Sequence, residues 1–88
     1  MGDAGFRVEI APLARRQIRK LDRKAQQAVV DRIEQLGSAP RPAGVKKLVD
    51  TDDLYRVRVG DYRIIYQIRD RELVVLVVKV RHRRDVYS

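Results

Sequence analysis

The chain contains no cysteine. That excludes a disulfide framework, a thiolate nucleophile and cysteine-held metal sites, and it fits a reducing compartment. Long hydrophobic runs are missing as well. The longest, Leu73 to Val78, has six residues, against the roughly 20 that a membrane-spanning helix needs, so no membrane partner is expected. The opening segment MGDAGFRVEI has no basic flank followed by an apolar core; the expectation is therefore no secretion signal and a cytoplasmic location. No repeat or low-complexity segment occurs. Histidine occurs once, at His82, which leaves a single imidazole for proton chemistry near neutral pH.

What the chain has in excess is positive charge. Twenty lysines and arginines face twelve acids, a net +8 over 88 residues. A chain this short is expected to form one domain, residues 1–88. Its basicity points to nucleic acid or to an acidic protein partner, and composition alone does not choose between them. The halves 1–44 and 45–88 each carry net +4, so the charge is not a detachable tail.

Hydrophobic spacing divides the chain into elements. Phe6, Val8 and Ile10 alternate with Arg7 and Glu9 as in a short strand. Pro12 suits the first turn of a helix, and Leu13, Ala14, Ile18 and Leu21 recur at helical spacing. Asp22 reads as the N-cap of a second helix whose stripe is Ala25, Val29, Ile33 and Leu36, with Gly37 as its C′ stop. Arg15, Arg16, Arg19 and Lys20 fall on the outer face of the first helix. The segment 38–44 holds two of the three prolines and reads as a loop; Lys46 and Lys47 follow it, still in loop, before the hairpin. Three strands follow, near 54–59, 62–68 and 73–80, with turns at Gly60-Asp61 and around Asp70-Arg71. The expected fold class is α+β: an N-terminal strand, a helical hairpin, then a three-stranded antiparallel meander, with the helices packed on one face of the sheet.

A two-residue turn at Gly60-Asp61 pairs Val59 with Tyr62, Val57 with Ile64 and Tyr55 with Tyr66, all on the face that the helices cover. The other face then carries Arg56, Arg58 and Arg63, with Arg58 directly opposite Arg63. Like charges opposed across two strands destabilise a sheet. One solvated arginine needs no explanation, but three without an acidic neighbour point to an anionic ligand. Planar guanidinium forks suit phosphate better than a lysine point charge does. The end of the chain, KVRHRRDVY, adds Lys79, Arg81, Arg83 and Arg84 around His82, and Tyr87 beyond. Which of His82 and Arg83 faces the arginines depends on whether a bulge reverses the strand's parity.

LYRVRVGDYRIIYQI followed by VVKVRHRRDVY, with KKL before them, resembles the RelE toxins of bacterial type II toxin–antitoxin modules over nearly the whole chain. The resemblance implies a RelE-like fold and a ribosome-dependent endoribonuclease, an mRNA interferase that cuts mRNA in the A site. It implies attack by the RNA's own 2′-hydroxyl, with no metal and no cofactor. It assigns Arg56 and Arg58 to the RNA backbone, Arg63 to the transition-state charge, Arg83 and Tyr87 to the rest of the site, and His82 to proton transfer. Lys46, Lys47, Arg81 and Arg84 are expected to extend the RNA and ribosome contact. The implied partners are a RelB-like antitoxin, the ribosome and mRNA, with operator DNA bound through the antitoxin. Family members carry lysines at the positions of Arg56 and Arg58, and arginine does not lose its proton as a desolvated lysine can. The alternatives are a ParE-like inhibitor of DNA gyrase, which shares the fold, and a non-catalytic RNA-binding or antitoxin-docking module.

Overall fold

The computed structural model describes residues 5–48 and 53–84. Strand β1 (Arg7–Ile10) leads into helices α1 (Pro12–Arg19) and α2 (Arg23–Ser38). A two-residue strand β2 (Lys46–Lys47) precedes the meander β3 (Leu54–Val59), β4 (Tyr62–Arg69) and β5 (Val74–His82). All five strands join one sheet in the order β1-β5-β4-β3-β2. β1 lies parallel to β5, and the other pairings are antiparallel. The α+β class, the helical hairpin and the meander agree with the sequence reading; the short β2 is an addition. Lys46 and Lys47 therefore belong to the sheet edge and not to the loop.

Each helix forms for a local reason. Pro12 opens α1, whose buried residues Ala14 and Ile18 are four apart. The Asp22 carboxylate accepts the Ala25 N–H at 2.8 Å and caps α2. Val29, Ile33 and Leu36 run along the inner stripe of α2. They pack with Val57, Ile64, Tyr66, Ile68, Val75, Val77 and Val80 of the sheet. The Gln26 side-chain amide donates to the Ile18 carbonyl at 3.1 Å and ties the two helices.

Gly37 is not a C′ stop. It is buried inside the last turn of α2, which ends at Ser38 with Ala39 as the C-cap. A Cβ at Gly37 would lie 3.0 Å from Val8 Cγ2 and 3.1 Å from the Phe6 carbonyl oxygen. The Phe6 N–H donates to the Gly37 carbonyl at 2.6 Å. Glycine at this position lets β1 pass close against the helix.

The meander has the expected β3–β4 register: Val59 pairs with Tyr62, Val57 with Ile64, and Arg58 with Arg63. Gly60 has φ +56, the left-handed conformation that hairpin turns of type II′ need at their first central position. The β4–β5 pairing is not regular. Ile65 pairs with Lys79 and Tyr66 with Val77, so Val78 is an extra residue in β5. This bulge reverses the phase of β5: the inward residues are Val75 and Val77 before it, Val80 after it.

Candidate nucleic-acid interface

The face of the sheet away from the helices is built by alternation. On β3, Tyr55, Val57 and Val59 turn toward the core, which turns Arg56 and Arg58 outward. On β4, Tyr62, Ile64 and Tyr66 turn inward and Arg63 and Ile65 outward. Two rows of opposed residues then cross the strands. One runs Lys46, Arg56, Ile65, Lys79, and the other runs Arg58, Arg63, Arg81. Neither row contains a carboxylate. Among the described residues, Arg56, Arg58 and Arg63 make no ion pair.

The β5 bulge is responsible for half of this arrangement. Without Val78 as the extra residue, strict alternation from Val75 and Val77 would send Lys79 and Arg81 toward the helices. The extra residue brings both to the arginine face and sends His82 to the opposite one, opposite Tyr62. The sequence leaves this parity open. The bulge sits in mid-strand rather than at the Asp70-Arg71 turn, and no glycine marks it. Lys79, not assigned to the site from sequence, joins it for the same reason.

Arg58, Gly60, Asp61, Tyr62, Arg63 and Arg83 line a cavity of about 270 Å³. Gly44, Lys46, Arg56, Arg58 and Arg63 line a second one of about 340 Å³. Arg58 and Arg63 are common to both, so the cavities adjoin along the sheet. Arg83 follows β5, and its N–H donates to the Asp61 carbonyl at 2.7 Å. Its guanidinium lies 3.6 Å from the Asp61 carboxylate, with both side chains mostly exposed. An exposed pair at that separation contributes little energy. Arg83 is steered by Asp61 and keeps donors for another ligand.

The remaining expected site residues are distributed differently. Lys47 pairs with Tyr55 and shares the face of Tyr55 rather than that of Arg56. Arg84 is exposed in the turn after β5 and lines neither cavity. His82 is half-buried on the helix-bearing face, its ring edge-on to Tyr62 at 5.1 Å. Tyr87 lies outside the described residues. The geometry thus gathers Arg56, Arg58, Arg63, Arg81 and Arg83, with Lys46 and Lys79, on one face, and it separates His82 from them. Such a surface can hold a chain of phosphates and stabilise extra negative charge on one of them.

A helical hairpin on one face of a small sheet and a cation-lined opposite face fit the type II toxins that the sequence resembles. Comparison with known proteins agrees. The family model described as ParE toxin of the type II toxin–antitoxin system, parDE, matches residues 8–87. The toxin RelG of Mycobacterium tuberculosis is 30% identical over 83 residues, covering 93% of this chain and 95% of RelG. Among solved structures, the toxin–antitoxin complex RelBE2 of M. tuberculosis superposes with a TM-score of 0.81 at 28% identity, over 90% of this chain and 99% of the other. The RelE–RelB complex of Pyrococcus horikoshii gives 0.79 at 30% identity, over 89% and 94%. The chain belongs to the RelE/ParE family of type II toxins, as a RelE-like member.

Proposed function

We propose that this toxin is a ribosome-dependent endoribonuclease that cuts mRNA in the A site and so arrests translation. The observation that carries the reading is the convergence of Arg58, Arg63 and Arg83 on one cavity, continued by Arg56 and Lys46 in the next. The RNA backbone lies across the strands along these cavities. The 2′-oxygen forms a bond to the adjacent phosphorus while the bond to the 5′-oxygen breaks, giving a 2′,3′-cyclic phosphate and a 5′-hydroxyl. Charge grows on the non-bridging oxygens during this step. Preorganised guanidinium donors aimed at them contribute about 3 kcal/mol each, or a rate factor of roughly 100–1,000 per donor. Tyr87 is assigned to base stacking or proton handling, and no metal or cofactor takes part.

The opposed arginines support this reading physically. A sheet that places Arg58 opposite Arg63 accepts repulsion in the free protein, and a dianionic transition state relieves it. A RelB-like antitoxin of acidic character is the partner that would cover this face at rest, and the antitoxin would carry the complex to operator DNA. A gyrase-directed reading is the second possibility, favoured by the description of the matching family model. It gives no role to the arginine cavities. In the decisive experiment, purified protein is added to a translating extract and the mRNA ends are mapped. Cuts in register with codons and cyclic-phosphate termini are expected, with Arg58→Ala, Arg63→Ala and Arg83→Ala each slower by at least about 100-fold. Intact mRNA together with failed DNA supercoiling would transfer the assignment to gyrase.

A further inference from the structure

His82 lies on the far side of the sheet from the arginine cavities, yet it is bonded to the turn that presents Arg83. Its ring stands edge-on to Tyr62, with centroids 5.1 Å apart. Gln17, Lys20 and Leu21 from the α1 end border the same small cavity as His82, Tyr62 and Val80. The Gln17 side chain accepts the Val80 N–H at 2.7 Å, fixing β5 just before the histidine. Imidazole Nδ1 accepts the N–H of Arg84, two residues on, at 3.1 Å. The preceding N–H, that of Arg83, is held by the Asp61 carbonyl at 2.7 Å. Consecutive amides are therefore clasped from two sides, one by the hairpin tip and one by the histidine.

The geometry points to His82 as a positioning residue for Arg83, acting through the backbone, and not as a proton carrier in the cavity. An imidazole that accepts at Nδ1 carries no proton there. Among the described residues, Lys20 at the end of α1 borders the same cavity as the ring and Tyr62 of β4 stands edge-on to it; Arg81, Arg83 and Arg84 flank it along the chain. Its activity arm rests on the ribonuclease reading, whereas the clasp itself does not.

The two roles separate on one substitution. An asparagine side chain accepts the N–H two residues on in the Asx turn, so His82→Asn keeps the clasp without an imidazole. His82→Ala removes it, and His82→Phe keeps a ring against Tyr62 but no acceptor. For a positioning residue, His82→Asn cleaves RNA within about threefold of the parent rate. The Ala and Phe variants fall by roughly 10–100-fold in the rate at saturation, with RNA binding little changed. His82→Ala adds no further loss to Arg83→Ala. An asparagine variant as slow as the alanine one, or losses that multiply with Arg83→Ala, would overturn the inference.

Amide exchange at Arg84, followed by NMR on the purified full chain, tests the clasp without any activity. Protection of about tenfold is expected in the parent and in His82→Asn, and none in His82→Ala or His82→Phe. Equal protection in all four proteins refutes the clasp. If the parent cleaves no RNA but the exchange pattern holds, the ribonuclease reading fails and the clasp stands.

Discussion

Replacing Arg63 by glutamine should make this protein more stable and less active. Arg63 stands directly opposite Arg58 on the exposed face, and neither has a carboxylate partner among the described residues. Directly opposed side chains start about 5 Å apart at Cβ and the guanidiniums splay outward. At a charge separation of about 7 Å in water, Coulomb's law gives roughly 0.6 kcal/mol of repulsion. At 10 mM salt the screening length is about 30 Å and most of this survives, whereas at 1 M it is about 3 Å and nearly all is lost. Arg63→Gln is therefore expected to gain about 0.5 kcal/mol at low salt, which for a domain of this size is roughly 2–4 °C in Tm. Arg63→Lys keeps the charge and should show no such gain. Melting curves by circular dichroism at the two salt concentrations measure the effect, alongside RNA cleavage by the same samples. If Arg63→Gln melts at or below the parent temperature in 10 mM salt, or gains the same amount at 1 M, the opposed pair is not a source of strain. The argument for an anionic ligand from repulsion then fails.

Three further outcomes test the fold. Gly37→Ala should destabilise by about 1–2 kcal/mol in denaturant titration, because the methyl group meets the Val8 side chain of β1 and the Phe6 carbonyl just before it, which outweighs the helix-propensity gain; a stabilised variant would refute the close approach. Asp22→Ala removes the α2 cap and should cost about 1 kcal/mol, with the loss confined to stability and absent from cleavage. Tyr66 is buried with its hydroxyl donating to the Pro40 carbonyl at 2.7 Å, and burial pushes its pKa up to about 12 from 10.0. Between these pH values the unfolded phenol gives up its proton and the folded one keeps it, so stability falls as pH rises, by about 2–3 kcal/mol in all. Tyr66→Phe starts about 1 kcal/mol below the parent at pH 9 for want of that hydrogen bond and lacks this slope. The two stability curves should cross between pH 10 and 12, and parallel curves would show that the phenol is not the source.

Much of the molecule was legible in the chain because the signals were local. Alternation in LYRVRV and YRIIYQI, with glycine at the turn between them, sufficed to pair Arg58 with Arg63 before any coordinates. Asp22 announced its cap, and the 3.6-residue spacing of Val29, Ile33 and Leu36 announced the buried stripe of α2. Gly37 was read as a terminator because helix ends favour glycine. Its actual reason, the passage of β1, is a contact between segments 30 residues apart. Lys46 and Lys47 looked like loop because two residues carry no period; only their hydrogen bonds to β3 make them a strand.

The sequence by itself determined the class of fold, the register of the central hairpin and the sign of the charge on its outer face. These depend on periodicity and turn chemistry within about 20 residues. Tertiary structure decided which residues of β5 share that face. One extra residue at Val78 exchanges the two faces of everything after it, and its place in the strand shows only in the fit of β5 against β1 on one side and β4 on the other. That fit puts Lys79 and Arg81 beside Arg63, brings Arg83 to the cavity, and turns His82 toward the helices.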